Sequence, residues 1–139
     1  MLHVKQNISL ELEKMRLSYD ADLWGCLNGF IQWLFDERCL SPLTVRNYLS
    51  DLCHALTFFR SHWGEVPSLS AVLNLTVIDF RSFLAFRLNQ KINKRSNARS
   101  LASWRCFFKY LALKNPSLEN LAISFIQIPK IDKKNFPDP

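Results

Sequence analysis

Two groups of polar and basic residues in this chain have the types and spacing to hold a polyanion. The first is Thr44, Arg46 and Asn47, with Ser50 and Asp51 beside them, on one side of a stretch whose other side is apolar. The second comprises Lys91, Lys94, Arg95, Ser96, Asn97, Arg99, Ser100 and Ser103. Arg and Asn form two-pronged hydrogen bonds to guanine and adenine edges, and Lys and Arg neutralise phosphates. Ser and Thr add short contacts that let a helix come close. Catalysis has no comparable footing. The chain shows no Gly-rich phosphate loop, no metal-ligand spacing, no nucleophile with an evident base and no acidic pair. No catalytic residue, cofactor or metal is therefore expected.

The charge is unevenly spread. The formal net charge is +6, yet no acidic residue lies between Asp79 and Glu119, a span that holds nine of the 18 basic residues. Clustering of this kind says more about a partner than net charge does. A basic run before a helix is commonly only a solvated loop, so the run gains meaning only with the polar faces beside it. Trp104, Phe107 and Phe108, at helical spacing, read as core and not as base-stacking platforms. Arg105 reads as a structural arginine that buries its stem.

The elements that must position these groups read as helices. With 139 residues, 48% of them apolar and only 3 glycines, the chain fits one domain with a packed helical core. Residues 1–18 are an N-terminal extension in which a short helix can form, and the core need not depend on it. Leu23, Trp24, Leu27, Phe30, Ile31 and Leu34 give the first long helix. Ser41 and Pro42 open the second, with Val45, Tyr48, Leu49, Leu52, Leu56, Phe59 and Trp63 along one face. A short turn is expected at Leu69–Leu73. Thr76 and Asp79 resemble a capping box and start a third helix, with Val77, Phe80, Phe83, Leu84 and Leu88 inward. Ser96 or Asn97 is expected to cap the fourth, which Asn115-Pro116 stops, and Ser117 to Leu121 can add a turn. The main domain is expected over 19–122 and a linker over 123–139, rich in Pro and Lys from Pro129 onward. Cys26, Cys39, Cys53 and Cys106 show no paired spacing and are expected as reduced thiols. No signal peptide or membrane-length apolar run is read.

In order, the chain shows S-P-x-T-x-x-x-Y-x-x-D-L from Ser41 to Leu52 and L-T-x-x-D-F-x-x-F-L from Leu75 to Leu84. R-S-x-A-R-x-L-x-x-x-R-x-F-F-x-Y-L follows from Arg95 to Leu111, and then Pro129-Lys130. This series resembles the N-terminal core-binding domain of the tyrosine site-specific recombinases, most closely the branch that resolves bacterial chromosome dimers. The resemblance implies an all-α, SAM-like four-helix domain that clamps one side of duplex DNA. Its second and fourth helices would face the major groove. It further implies a catalytic domain beyond the linker, whose tyrosine forms a 3′-phosphotyrosyl link, so that Tyr48 and Tyr110 are not nucleophiles. Double-stranded DNA and a related partner recombinase on the same site are the implied partners. The isolated chain is expected to be monomeric, in the bacterial cytoplasm with the nucleoid. Ser100 stands where the family often carries a base, Trp104 where it carries a smaller residue, and Asn135-Phe136-Pro137 where it has Leu-Pro. Two alternatives remain: a phage or mobile-element integrase domain, and an all-α protein-interaction bundle with a basic face.

Overall fold

The computed structural model describes residues 2–126. The linker reading from Pro129 onward, including Asn135-Phe136-Pro137, lies outside them. Six α-helices follow one another: α1 Leu2–Met15, α2 Ala21–Asp36, α3 Pro42–Trp63, α4 Leu69–Leu73, α5 Val77–Asn89 and α6 Lys94–Lys114. Two 3₁₀ turns, Pro116–Leu118 and Ala122–Phe125, close the described chain. The all-α expectation holds.

Local chemistry sets most boundaries. Ser41 Oγ accepts the Thr44 amide at 3.3 Å, Pro42 takes the first helical turn, and Gly64 ends α3 in the left-handed region at φ 74°. Thr76 and Asp79 form the full capping box, with bonds of 3.2 and 2.9 Å. The start of α6 differs from expectation. Asn93 is the cap, its Oδ1 accepting the Ser96 amide at 2.8 Å, so the helix begins at Lys94 and carries the basic residues inside its first turn. Lys91 adopts φ 64° just before it, and the Ile92 amide reaches back to the Arg87 carbonyl at 2.9 Å. This six-residue closure fixes where the connector leaves α5.

The longest two helices, α3 and α6, form the most extensive pair. Trp104 is the hub of their core. Its ring meets Phe59, Phe80, Phe107 and Phe108 at centroid distances of 5.6 to 6.4 Å, the edge-on and tilted geometry that aromatic quadrupoles favour. Phe30 of α2 joins through Phe107 at 5.2 Å and Tyr110 at 5.7 Å.

Four expectations change. The N-terminal extension is part of the core: Ile8 and Leu12 are buried, and Trp24 Nε1 donates to the Leu12 carbonyl at 2.7 Å. The packed chain continues past residue 122, because Ile123 and Ile126 are buried and Asn120 Nδ2 donates to the Leu73 and Leu75 carbonyls at 3.0 and 3.2 Å. On α5, Leu88 is exposed and Arg87 is buried in its place. The turn expected at Ser117 to Leu121 lies at Pro116–Leu118, and a second follows at Ala122–Phe125. All four cysteines are free. Burial pushes the Cys53 thiol up to about 11.

The two glycines of α2 give a direct test of the packing. A methyl group on Gly29 would fall on the Tyr110 hydroxyl, and Tyr110 is itself packed against Phe30 and Trp33. Around Gly25 there is nothing within 4 Å. Gly29→Ala is expected to destabilise the domain by roughly 1–3 kcal/mol. Gly25→Ala should stabilise it by about 0.5–1 kcal/mol through helix propensity. Urea denaturation of the two variants checks the opposite signs.

Candidate nucleic-acid interface

Thr44, Arg46 and Asn47 lie exposed on the first turns of α3. Thr44 Oγ1 is 2.9 Å from Ser41 Oγ, so its hydroxyl is turned back onto the cap. Arg46 and Ser50 line a shallow cleft of about 360 Å³ with Glu11 and Lys14 of α1. Folding α1 onto the core thus brings a further base, Lys14, beside Arg46.

Lys91, Lys94 and Arg95 are exposed at the α5–α6 turn and the start of α6, and Ser96 is half-buried. No acidic residue stands in the first turn of α6. Cations at a helix N-terminus oppose the helix dipole, at about 0.3–1 kcal/mol each when exposed. The placement therefore works against the free helix and favours an anion bound there.

Asn97, Ser100 and Ser103 are corrected. All three are buried. Asn97 Nδ2 points at the Leu84 carbonyl of α5 at 3.4 Å, and Ser103 Oγ lies 3.0 Å from Asp51 Oδ2. Their small side chains serve the close approach of α6 to its neighbouring helices, not an approach to an outside surface. Ser100, standing where relatives of the resemblance carry a base, is fully inside.

Asp51 is corrected as well. It is not on the outer flank of α3; its carboxylate is fully buried between α3 and α6. Arg99 holds it with two bonds, Nε to Oδ2 at 3.1 Å and Nη2 to Oδ1 at 3.0 Å. Ser103 adds the third contact. The Arg99 side chain is still 51% exposed while its partner is 0% exposed. The hydrogen bonding that Arg99 donates to the Asp51 carboxylate is the main cause that raises the Arg99 pKa above its ordinary value. Arg87 comes in from α5, stacked at 5.4 Å on the Phe83 ring, and desolvation lowers its pKa although Asp51 pulls the other way. Its Nε has no hydrogen-bond partner among the described residues. Arg105 is structural, as read: Nη2 donates to the Ile126 carbonyl at 3.3 Å.

Among the described residues, no group of His, Cys, Asp and Glu is placed to hold a metal ion, and no helix is long and apolar enough to cross a membrane. What the fold brings together is a basic rim, Lys91 in the connector with Lys94, Arg95 and Arg99 on the helix that packs along α3.

Residues 27–115 match the family model described as the phage integrase N-terminal SAM-like domain. The chain belongs to this family. Among curated relatives, this SAM-like domain is 38% identical over 122 residues to the tyrosine recombinase XerC of Bradyrhizobium diazoefficiens, covering 88% of this chain and 37% of the relative. The XerC of Nitrobacter winogradskyi is 36% identical over 106 residues, 74% of this chain and 33% of the relative. That of Brucella suis is 34% identical over 119 residues, 86% and 37%. The chain therefore spans only about a third of the length of these relatives. No solved structure matches it at a significant level.

The Asp51–Arg99 contact predicts strong coupling within the SAM-like domain. Removing Arg99 leaves the buried Asp51 carboxylate without its main partner, so Arg99→Ala should destabilise the domain by roughly 2–4 kcal/mol, whereas Asp51→Ala leaves a half-exposed guanidinium that water can reach and should cost less. The double variant should fall short of the summed losses by at least about 1 kcal/mol. A double-mutant cycle by urea denaturation, followed through tryptophan fluorescence, measures this. Additive losses would mean that the two side chains do not depend on each other.

Proposed function

We propose that this chain is the DNA-binding N-terminal part of a XerC-like tyrosine recombinase. The observation that carries the reading is the basic rim: Lys91, Lys94 and Arg95 gathered at the positive end of α6, in a span without acidic residues. Such an end is electrostatically unfavourable alone and is relieved by phosphates, which release counterions as they are neutralised. Arg46 and Asn47 of α3 and Arg99 of α6 supply side chains able to address base edges. Thr44 and Ser96 are closer to cap and backbone roles. Asn97, Ser100 and Ser103 drop out of the contact set because they are inside.

In this reading the domain holds one side of a duplex, and strand cleavage belongs to the portion of the relatives that the chain does not span. A phosphotyrosyl intermediate, a related recombinase on the same DNA site and a role in resolving chromosome dimers in the bacterial cytoplasm follow as parts of the same proposal. The names of the XerC relatives and the family match support it. A phage or mobile-element integrase would carry the same basic rim, and the names of the relatives favour the XerC-like reading over it.

The test is fluorescence anisotropy with a labelled duplex over a salt series. The domain should bind at about 50 mM salt and weaken steeply and linearly in log–log form. Lys91→Ala and Lys94→Ala should each reduce the magnitude of the salt slope by roughly one, with a uniform loss across sequences. Supercoiled plasmid should stay uncut. Absence of binding at low salt would overturn the reading.

A further inference from the structure

A guanidinium has five N–H donors in one plane. Arg99 spends Nε–H and one Nη2–H on the two oxygens of Asp51. These donors lie on the side-on edge of the fork. The end-on edge, Nη1 with the second Nη2 hydrogen, makes no hydrogen bond to another described residue, and the side chain is half exposed. The acceptor that fixes this plane cannot move away, because Asp51 is fully buried and is also held by Ser103. Arg99 is thus an exposed arginine with the rigidity of a buried one. An ordinary surface arginine loses rotamer entropy on binding; here much of that ordering is already done in the free domain.

The two exposed ligands that such a fork fits are a phosphate and the O6/N7 edge of guanine. The short-range charge separates them. Asp51 offsets much of the Arg99 charge, and its own negative charge lies on the adjacent edge of the same guanidinium, sharing Nη2 with the free fork. Free lysines such as Lys94 serve phosphates better. What the clamped fork retains is orientation, which is what a neutral pair of acceptors requires. Arg87, buried and within electrostatic reach of Asp51, keeps the carboxylate compensated as Arg99 engages an outside acceptor.

We propose that Arg99 reads a guanine through its end-on fork and that Asp51 is the positioning residue for that contact. The inference rests on the DNA-binding reading above and goes further by separating base reading from phosphate gripping.

Selection from a random-sequence duplex library with the wild-type chain, Arg99→Lys and Asp51→Asn, followed by sequencing, tests it. Arg99→Lys keeps the charge but cannot fork, and it carries the test on its own if Asp51→Asn unfolds by circular dichroism. The wild-type chain should enrich G at one position. Both folded variants should lose that preference by about tenfold or more while preferences elsewhere and the salt slope stay unchanged. Placing 7-deazaguanine at the enriched position should weaken the wild-type chain and leave Arg99→Lys unaffected. Retained G preference in Arg99→Lys, no enriched G, or wild-type binding that tolerates 7-deazaguanine yet loses to a methylphosphonate at that nucleotide a contact that Arg99→Lys also lacks, overturns the inference. Failure of the wild-type chain to bind any duplex at low salt overturns the DNA-binding reading itself, and the two failures are told apart by that first measurement.

Discussion

The carboxylate of Asp51 is the constraint on which the arrangement of the two long helices depends. A charged group with no exposed surface is tolerated only when its oxygens are met. Here they are met by Arg99 and Ser103, both on α6, one helical turn apart. The residues three and four apart on one helix face a single point on the other. That geometry sets the register of α6 against α3, and with it the direction in which the first turn of α6 points. An apolar residue at position 51 could pack as well, but it would not select one register, since hydrophobic contact has no direction. The aromatic hub around Trp104 supplies the bulk of the packing one face further round. Asp51 decides how that packing is aligned.

The short-range features of this architecture were legible in the sequence because their chemistry is local. Ser41 with Pro42, Thr76 with Asp79 and the stop at Asn115-Pro116 each act within a few residues, so a linear reading finds them. The aromatic stripes were equally plain, since large apolar residues at helical spacing have one destination. The interior polar network was not legible, because Asp51 and Arg99 stand 48 residues apart. Small polar residues such as Ser100 and Ser103 look the same on a helix face that meets another helix and on one that meets a ligand. A signal was nonetheless present: an acid on the polar side of one helix and an arginine on the polar side of another, in a span otherwise free of acids. Helix α1 was obscured differently. Ile8, Leu12 and Met15 keep helical spacing, but Glu11, Glu13 and Lys14 between them lower the apparent apolarity of the stretch. The family pattern identified which helices matter and left open which of their side chains point outward.

The basic rim and the buried pair are governed by opposite electrostatics. Lys91 and Lys94 are exposed and solvated, at the wrong end of a helix dipole, and they bring little to the stability of the free domain. In the proposed reading their value lies in an encounter with a polyanion, where long-range attraction raises the rate of association. Arg99 is bound to an internal partner and contributes stability whether or not anything is outside. In the reading proposed for this domain, the first set draws a duplex in without regard to sequence, and the second presents a fixed donor pair once the duplex has arrived.

That division also accounts for the connector between α5 and α6. Lys91 holds a left-handed backbone conformation that glycine would adopt at lower cost, at φ 64°, and the turn is closed by the Ile92 amide on the Arg87 carbonyl. Glycine there would relax the backbone and delete a cation from the rim. Arg87, whose carbonyl closes the turn, is also the second arginine near Asp51 and packs its guanidinium on Phe83. One residue therefore links the backbone path of the basic connector to the buried carboxylate. Moving the connector would shift Arg87, and shifting Arg87 would change the field at Asp51 and so the hold on Arg99. The rim and the clamped arginine thus share one neighbour, Arg87, and in the proposed reading that neighbour ties the groups that would attract a duplex to the group that would address its bases.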